Sequence, residues 1–221
     1  MIFIGPTTRE EVELLWLKSE WTRFQLPSQH RELVDKPDPG DPKQNEARSR
    51  LLQACRGAIL DEVPPSSTYR RVRVEEGDFS SLFLLTCWDW FLDTGRTFEL
   101  MNTLTNLAGG RGGDIGGSRQ LIDHLRGVDE KTAYIEDYDA VSSVECLFLV
   151  ASDENGPYTI IDGTHRAVAL LREHQRKPNT PWNAVLIDSP RMTSNRWHIE
   201  YHAAPQILAE LNALADQGKI W

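Results

Sequence analysis

The sequence predicts a mixed α/β fold, a small mixed β-sheet with surrounding helices, preceded by an N-terminal helical extension. Short β-rich runs at Tyr69–Val74, Val144–Ala151, Tyr158–Ile161 and Trp182–Ile187 alternate with helix-periodic stretches. At 221 residues, 40% of them hydrophobic, the chain is long enough for one well-packed domain. No internal repeat divides it, which excludes a solenoid or array. The expected division is a helical extension over 1–66 and an α/β domain over 67–221.

In chain order, residues 7–24 read as an amphipathic helix. Thr7 or Thr8 can cap it, Glu10 and Glu11 follow at capping-box spacing, and Leu14, Leu17, Trp21 and Phe24 recur on one face. The prolines of 35–42 make a loop, and Arg48 to Leu60 is a second helix, ended by Pro64 and Pro65. Tyr69–Val74 alternates as a strand does. Phe79 to Phe91 is strongly apolar and is expected as a buried helix, with another helix over Arg96 to Leu107. Residues 109–117 hold six glycines in nine positions. That spacing matches neither the dinucleotide nor the P-loop pattern, so a linker or lid is expected. Two strands then flank a turn at 152–157, a helix runs from Thr164 to about Gln175, and a last helix spans Pro205 to Gln217.

Composition narrows the function classes. With 24 basic against 33 acidic residues the net charge is −9, which opposes general attraction to a polyphosphate backbone. A nucleic-acid partner is therefore not expected. The cysteines, Cys55, Cys87 and Cys146, are far apart and lack metal or redox spacing. The opening residues carry no basic flank and no long apolar core, and no run approaches the ~20 apolar residues of a membrane span. A cytoplasmic protein without a membrane partner is the expectation.

The most informative segment is Tyr158–Leu170, read as strand, turn and helix. Its turn, Asp162-Gly163-Thr164-His165-Arg166, falls at a helix N-terminus, where backbone N–H groups and the helix dipole favour negative charge. Gly163 permits close backbone approach. Thr164 can cap the helix or donate to a ligand oxygen, and Arg166 suits bidentate contact with phosphate or carboxylate. Asp162 can orient His165, touch a ligand's metal or serve as a base.

This stretch resembles the ParB and sulfiredoxin superfamily, whose members carry Gly-Cys-His-Arg, Gly-Glu-Arg-Arg or Asp-Gly-His-His-Arg at such a junction. The last variant belongs to free-serine kinases, and here Thr164 stands where their first histidine would fall. Sulfiredoxin's catalytic cysteine would also fall at Thr164, so the resemblance does not extend to cysteine chemistry. It covers residues 144–175 closely and 69–187 loosely. It implies a ParB/sulfiredoxin-like fold and an enzyme acting on a small molecule. The most concrete form is phosphoryl transfer from ATP, leaving ADP, with Mg²⁺ bridging the phosphates, to an amino-acid-like hydroxyl. An alternative is a biosynthetic condensing enzyme of β-carboline type, with Arg166 holding the carboxylate of a tryptophan-like substrate. Another is a ParB-like DNA-binding or DNA-modification accessory protein. A homodimer that completes the groove is compatible with each.

Two further segments are candidates. Arg96 and Glu99, upstream of the strand pair, would face His165, with Arg96 binding substrate and Glu99 a general base if the cleft is dry. Trp197 and His198 could form an aromatic, hydrogen-bonding wall for the ligand. His198, Glu200 and His202 alternate but lack a fixed partner, so no resident metal is assigned. The expected site is thus Glu99, Asp162 and His165 for catalysis, with Arg96, Gly163, Thr164, Arg166, Trp197 and His198 for substrate or phosphate.

Overall fold

The computed structural model describes residues 1–20, 30–104, 126, 128–129, 147–174, 178, 182–203 and 205–217. The glycine-rich segment 109–117 and residues 144–146 lie outside them. The strands are β1 (Ile2–Pro6), β2 (Thr68–Val74), β3 (Leu82–Leu84), β4 (Leu147–Ala151), β5 (Tyr158–Asp162) and β6 (Trp182–Asp188). Among the described residues the helices are α1 (Arg9–Glu20), α2 (Glu32–Asp35), α3 (Pro42–Leu60), α4 (Trp88–Asp93), α5 (Thr164–His174), α6 (Ile199–His202) and α7 (Pro205–Asp216).

The strands form one mixed sheet in the order β1-β2-β6-β4-β5-β3, so the fold is mixed α/β. β4 and β6 run parallel, as do β3 and β5, while β4 and β5 form the expected antiparallel hairpin. The apolar runs of the central strands follow from burial on both faces. Leu147, Leu149 and Ala151 of β4 enter one core with Ile160, Leu186 and the α5 residues Ala167, Val168, Leu170 and Leu171. Phe148 and Val150 enter the other, with Ile161, Val185 and Ile187, against Trp16 and Leu17 of α1 and Leu52 of α3. Residues 1–66 thus supply an edge strand and one helical layer of the sheet. Trp16 stacks on Phe148 at 4.8 Å between ring centroids.

Local chemistry explains where elements start. Thr8 and Glu11 form a reciprocal capping box at α1: Glu11 N–H donates to Thr8 Oγ1 (3.3 Å), and Thr8 N–H to Glu11 Oε2 (3.4 Å). α3 begins at Pro42, six residues before the expected start at Arg48. Asp41 caps it, accepting from Lys43 N–H at 2.9 Å, and proline is well suited to a first helical turn.

One strand adds to the sequence reading and two expected elements are corrected. β1 was not anticipated; its residues are mostly exposed and pair with β2 at the sheet edge. The apolar stretch from Phe79 to Phe91 is not one helix. It is divided among the end of a 3₁₀ turn (Glu76–Ser81), β3 and most of α4, because uniform apolarity does not distinguish a buried strand from a buried helix. Nor does a helix start at Arg96: Gly95, Arg96 and Phe98 have φ of 67°, 70° and 61°, and Glu99 bridges Phe83 of β3. Thr94 holds that turn, its Oγ1 donating to Trp90 O (2.7 Å) and accepting from Phe98 N–H (2.8 Å), a side-chain bonding pattern that competes with helix.

Candidate functional site: the carboxyl ends of β3 and β5

β3 and β5 are parallel, with Leu84 opposite Ile160, so their carboxyl ends lie side by side. Helices follow both, α4 from Trp88 and α5 from Thr164. In α/β sheets this edge is where ligands bind, because loops and helix N-termini converge there. The two helices meet at the site: the rings of Trp90 and His165 pack edge to face, 5.1 Å apart.

The junction itself is tight. Gly163 has φ +87°, a conformation strained for any side chain. A Cβ there would stand 3.0 Å from Leu147 Cδ2 and 3.2 Å from Arg166 Nη1. Arg166, only 6% exposed, therefore folds its guanidinium back over the Gly163 backbone. Ala167 N–H is bonded to Gly163 O (2.8 Å), so the N–H groups of 164–166 are the first turn of α5, which has no acceptors within the helix. Thr164 and His165 are half-buried beside them. First-turn donors, a helix dipole and a buried guanidinium thus gather at this end of β5, and each of them favours negative charge.

Asp162, the last residue of β5, is 8% exposed and engaged from the N-terminal layer. Arg56 of α3 donates from Nη2 to Asp162 Oδ1 at 3.0 Å and also to Glu20 Oε1 of α1. Arg56 carries non-helical dihedrals inside α3 (φ −134°, ψ 16°). Sequence reasoning missed this residue: it lies 106 positions from Asp162 in a helix whose partners are set by tertiary packing alone.

The other sequence candidates have different surroundings. Arg96 reaches α7, with Nη1 2.8 Å from Asp216 Oδ1 and 3.2 Å from Asn212 Oδ1. Glu99 is exposed and accepts from Asn102 Nδ2 at 3.0 Å. Trp197 Nε1–H donates to Ala58 O of α3 at 2.9 Å, with Arg196 over its ring. His198 is fully buried: Nε2 lies 3.2 Å from Pro157 O, and Nδ1 accepts from Glu200 N–H, capping α6. Burial pushes the His198 pKa down, against the opposing pull of the Glu200 carboxylate and the Pro157 carbonyl. His202 is likewise pushed down by burial, with its Nε2 2.7 Å from Arg196 O.

Among the described residues no group of three or more His, Cys, Asp or Glu side chains is placed to hold a metal ion, and no helix is long and apolar enough to cross a membrane. Compared with family models, curated proteins and solved structures, the chain finds no match.

Proposed function

We propose that this protein is a small-molecule-modifying enzyme that binds a phosphate- or carboxylate-bearing ligand at the Asp162–Arg166 junction. The observation that carries the reading is the fold-back of buried Arg166 over positive-φ Gly163, at the first turn of α5 and the carboxyl end of a parallel strand pair. A side chain at 163 would fill the approach to the backbone, and the guanidinium and first-turn N–H groups favour negative charge. Resemblance of the junction to ParB/sulfiredoxin-like proteins supports the same placement, and with it phosphoryl transfer from a nucleotide to an amino-acid-like hydroxyl as the reaction.

The residues fit the two parts of that donor unequally. The α5 first turn and Arg166 suit phosphate oxygens. Asp162 does not suit a metal in this arrangement, since its carboxylate is already bonded to Arg56. In the reading we propose, Arg166 and Thr164 hold the anion. His165, kept in orientation by the Trp90 ring, takes or delivers the proton of the reacting group.

The test is a thermal-shift panel of ATP, ADP and CTP, each with and without Mg²⁺, beside free serine and tryptophan. Stabilisation by a nucleotide that Arg166→Lys weakens is the expected result. Stabilisation by an amino acid alone would retain the anion site but remove the nucleotide. No response to any of them would overturn the reading.

A further inference from the structure

We infer that Arg56 is a positioning residue of this junction: it offsets the charge of Asp162, so that a ligand's negative charge can settle beside a buried carboxylate. The inference rests on the anion reading of the junction given above.

Asp162 stands two positions before Thr164, so its Cα lies within about 7–8 Å of the start of α5. Two negative charges at that spacing repel strongly where water is sparse. The side chain of Asp162 is only 9% exposed, so solvent screens little of that repulsion. Arg56 supplies the counter-charge, its Nη2 at 3.0 Å from Asp162 Oδ1. Glu20 receives the same nitrogen and is 3% exposed, so the guanidinium is held from the α1 side and its charge is shared between two carboxylates. The departure of Arg56 from helical dihedrals coincides with this reach between two helices and a strand end. With the charge of Asp162 offset in this way, the anion meets Arg166 and the α5 dipole against a smaller opposing field. α1 and α3 thereby take part in ligand binding as well as covering the sheet.

Isothermal titration with inorganic pyrophosphate and with ATP tests this on the wild type, Asp162→Asn, Arg56→Gln and the Arg56→Gln/Asp162→Asn double variant. Near-ultraviolet circular dichroism verifies the fold of each. Asp162→Asn should bind at least as tightly as wild type, because it removes the repulsion. Arg56→Gln should lose affinity by about tenfold or more, and the double variant should return to within about threefold of wild type. A merely structural triad gives no reason for the double variant to recover. A folded Arg56→Gln protein with unchanged affinity would overturn the inference. So would an Asp162→Asn protein about tenfold weaker, a result that also decides the matter if Arg56→Gln fails to fold. If wild type binds neither probe, the anion reading of the junction fails, and this inference with it.

Discussion

The Nη1 atom of Arg166 lies 3.2 Å from where a side chain on Gly163 would begin, so guanidinium and glycine share one space at the start of α5. A methyl at 163 meets Leu147 as well, at 3.0 Å, and that neighbour is anchored in the central strand. Gly163→Ala should therefore destabilise by about 1–2 kcal/mol from the left-handed φ alone, with more from displacement of Arg166. Urea unfolding checks the stability. Loss of nucleotide stabilisation in the still-folded variant checks the site.

The Arg56–Asp162–Glu20 network also bears on stability. Removing the cation leaves two buried carboxylates facing each other, so Arg56→Gln should lose about 3–5 kcal/mol, the usual cost of breaking a buried pair from one side. Denaturant titration of the single and double variants measures it. Recovery in the double is expected to be partial, because Glu20 stays charged.

How far the sequence disclosed these features depends on how local their causes are. The strand–turn–helix at 158–174 was legible because apolar period, glycine and helix-forming residues change over a few positions, and the strand start at Tyr158 and the helix start at Thr164 stand where expected. Thr8–Glu11 was legible for the same reason. β3 was not, since Leu82–Leu84 is a strand only by pairing with β5, across more than 70 positions. The turn at 95–98 was hidden because Thr94 and Thr97 bond the backbone in ways that a propensity reading does not weigh. At the candidate site, the five contiguous residues could be read from sequence and their electrostatic environment could not. Arg56 and Trp90 arrive from α3 and α4 by packing alone.

Arg96 provides a contrast with Arg166. Its side chain is 36% exposed, and its guanidinium is bound to Asp216 and Asn212 on α7. Arg96→Ala should cost at most about 1 kcal/mol, as exposed ion pairs do, and leave affinity for ATP or pyrophosphate within about twofold of wild type. Loss of binding in a fully folded variant would instead bring α7 into the site.

The buried His198 and the half-buried His202 predict a pH dependence. His198 and His202 are pushed below the ordinary imidazole value by burial, so the unfolded chain takes up their protons at higher pH than the folded one. Their contribution to stability is complete above about pH 6.5, the unfolded value, and is lost as pH falls from there through the folded values. Protonation of His198 would also remove Nδ1 as acceptor for Glu200 N–H. The urea midpoint should fall between pH 7.5 and pH 5, and His198→Gln should flatten that fall. An unchanged slope in the variant would assign the dependence elsewhere.

Leu52 of α3 is fully buried in the core that Phe148 and Val150 share with α1. Leu52→Ala should cost about 2–5 kcal/mol. If the helices of 1–66 and the sheet form one cooperative unit, fluorescence and far-ultraviolet dichroism will report a single coincident transition. Two separated transitions would show that the helical layer unfolds independently.

The most direct test of the central claim is an amide nuclear magnetic resonance titration of the wild-type protein with ATP, with and without Mg²⁺, and with pyrophosphate. The largest shifts should fall on Gly163, Thr164, His165 and Arg166, with smaller ones at Trp90 and Arg56. Saturable shifts confined to other parts of the fold, or none at all with either probe, would contradict it.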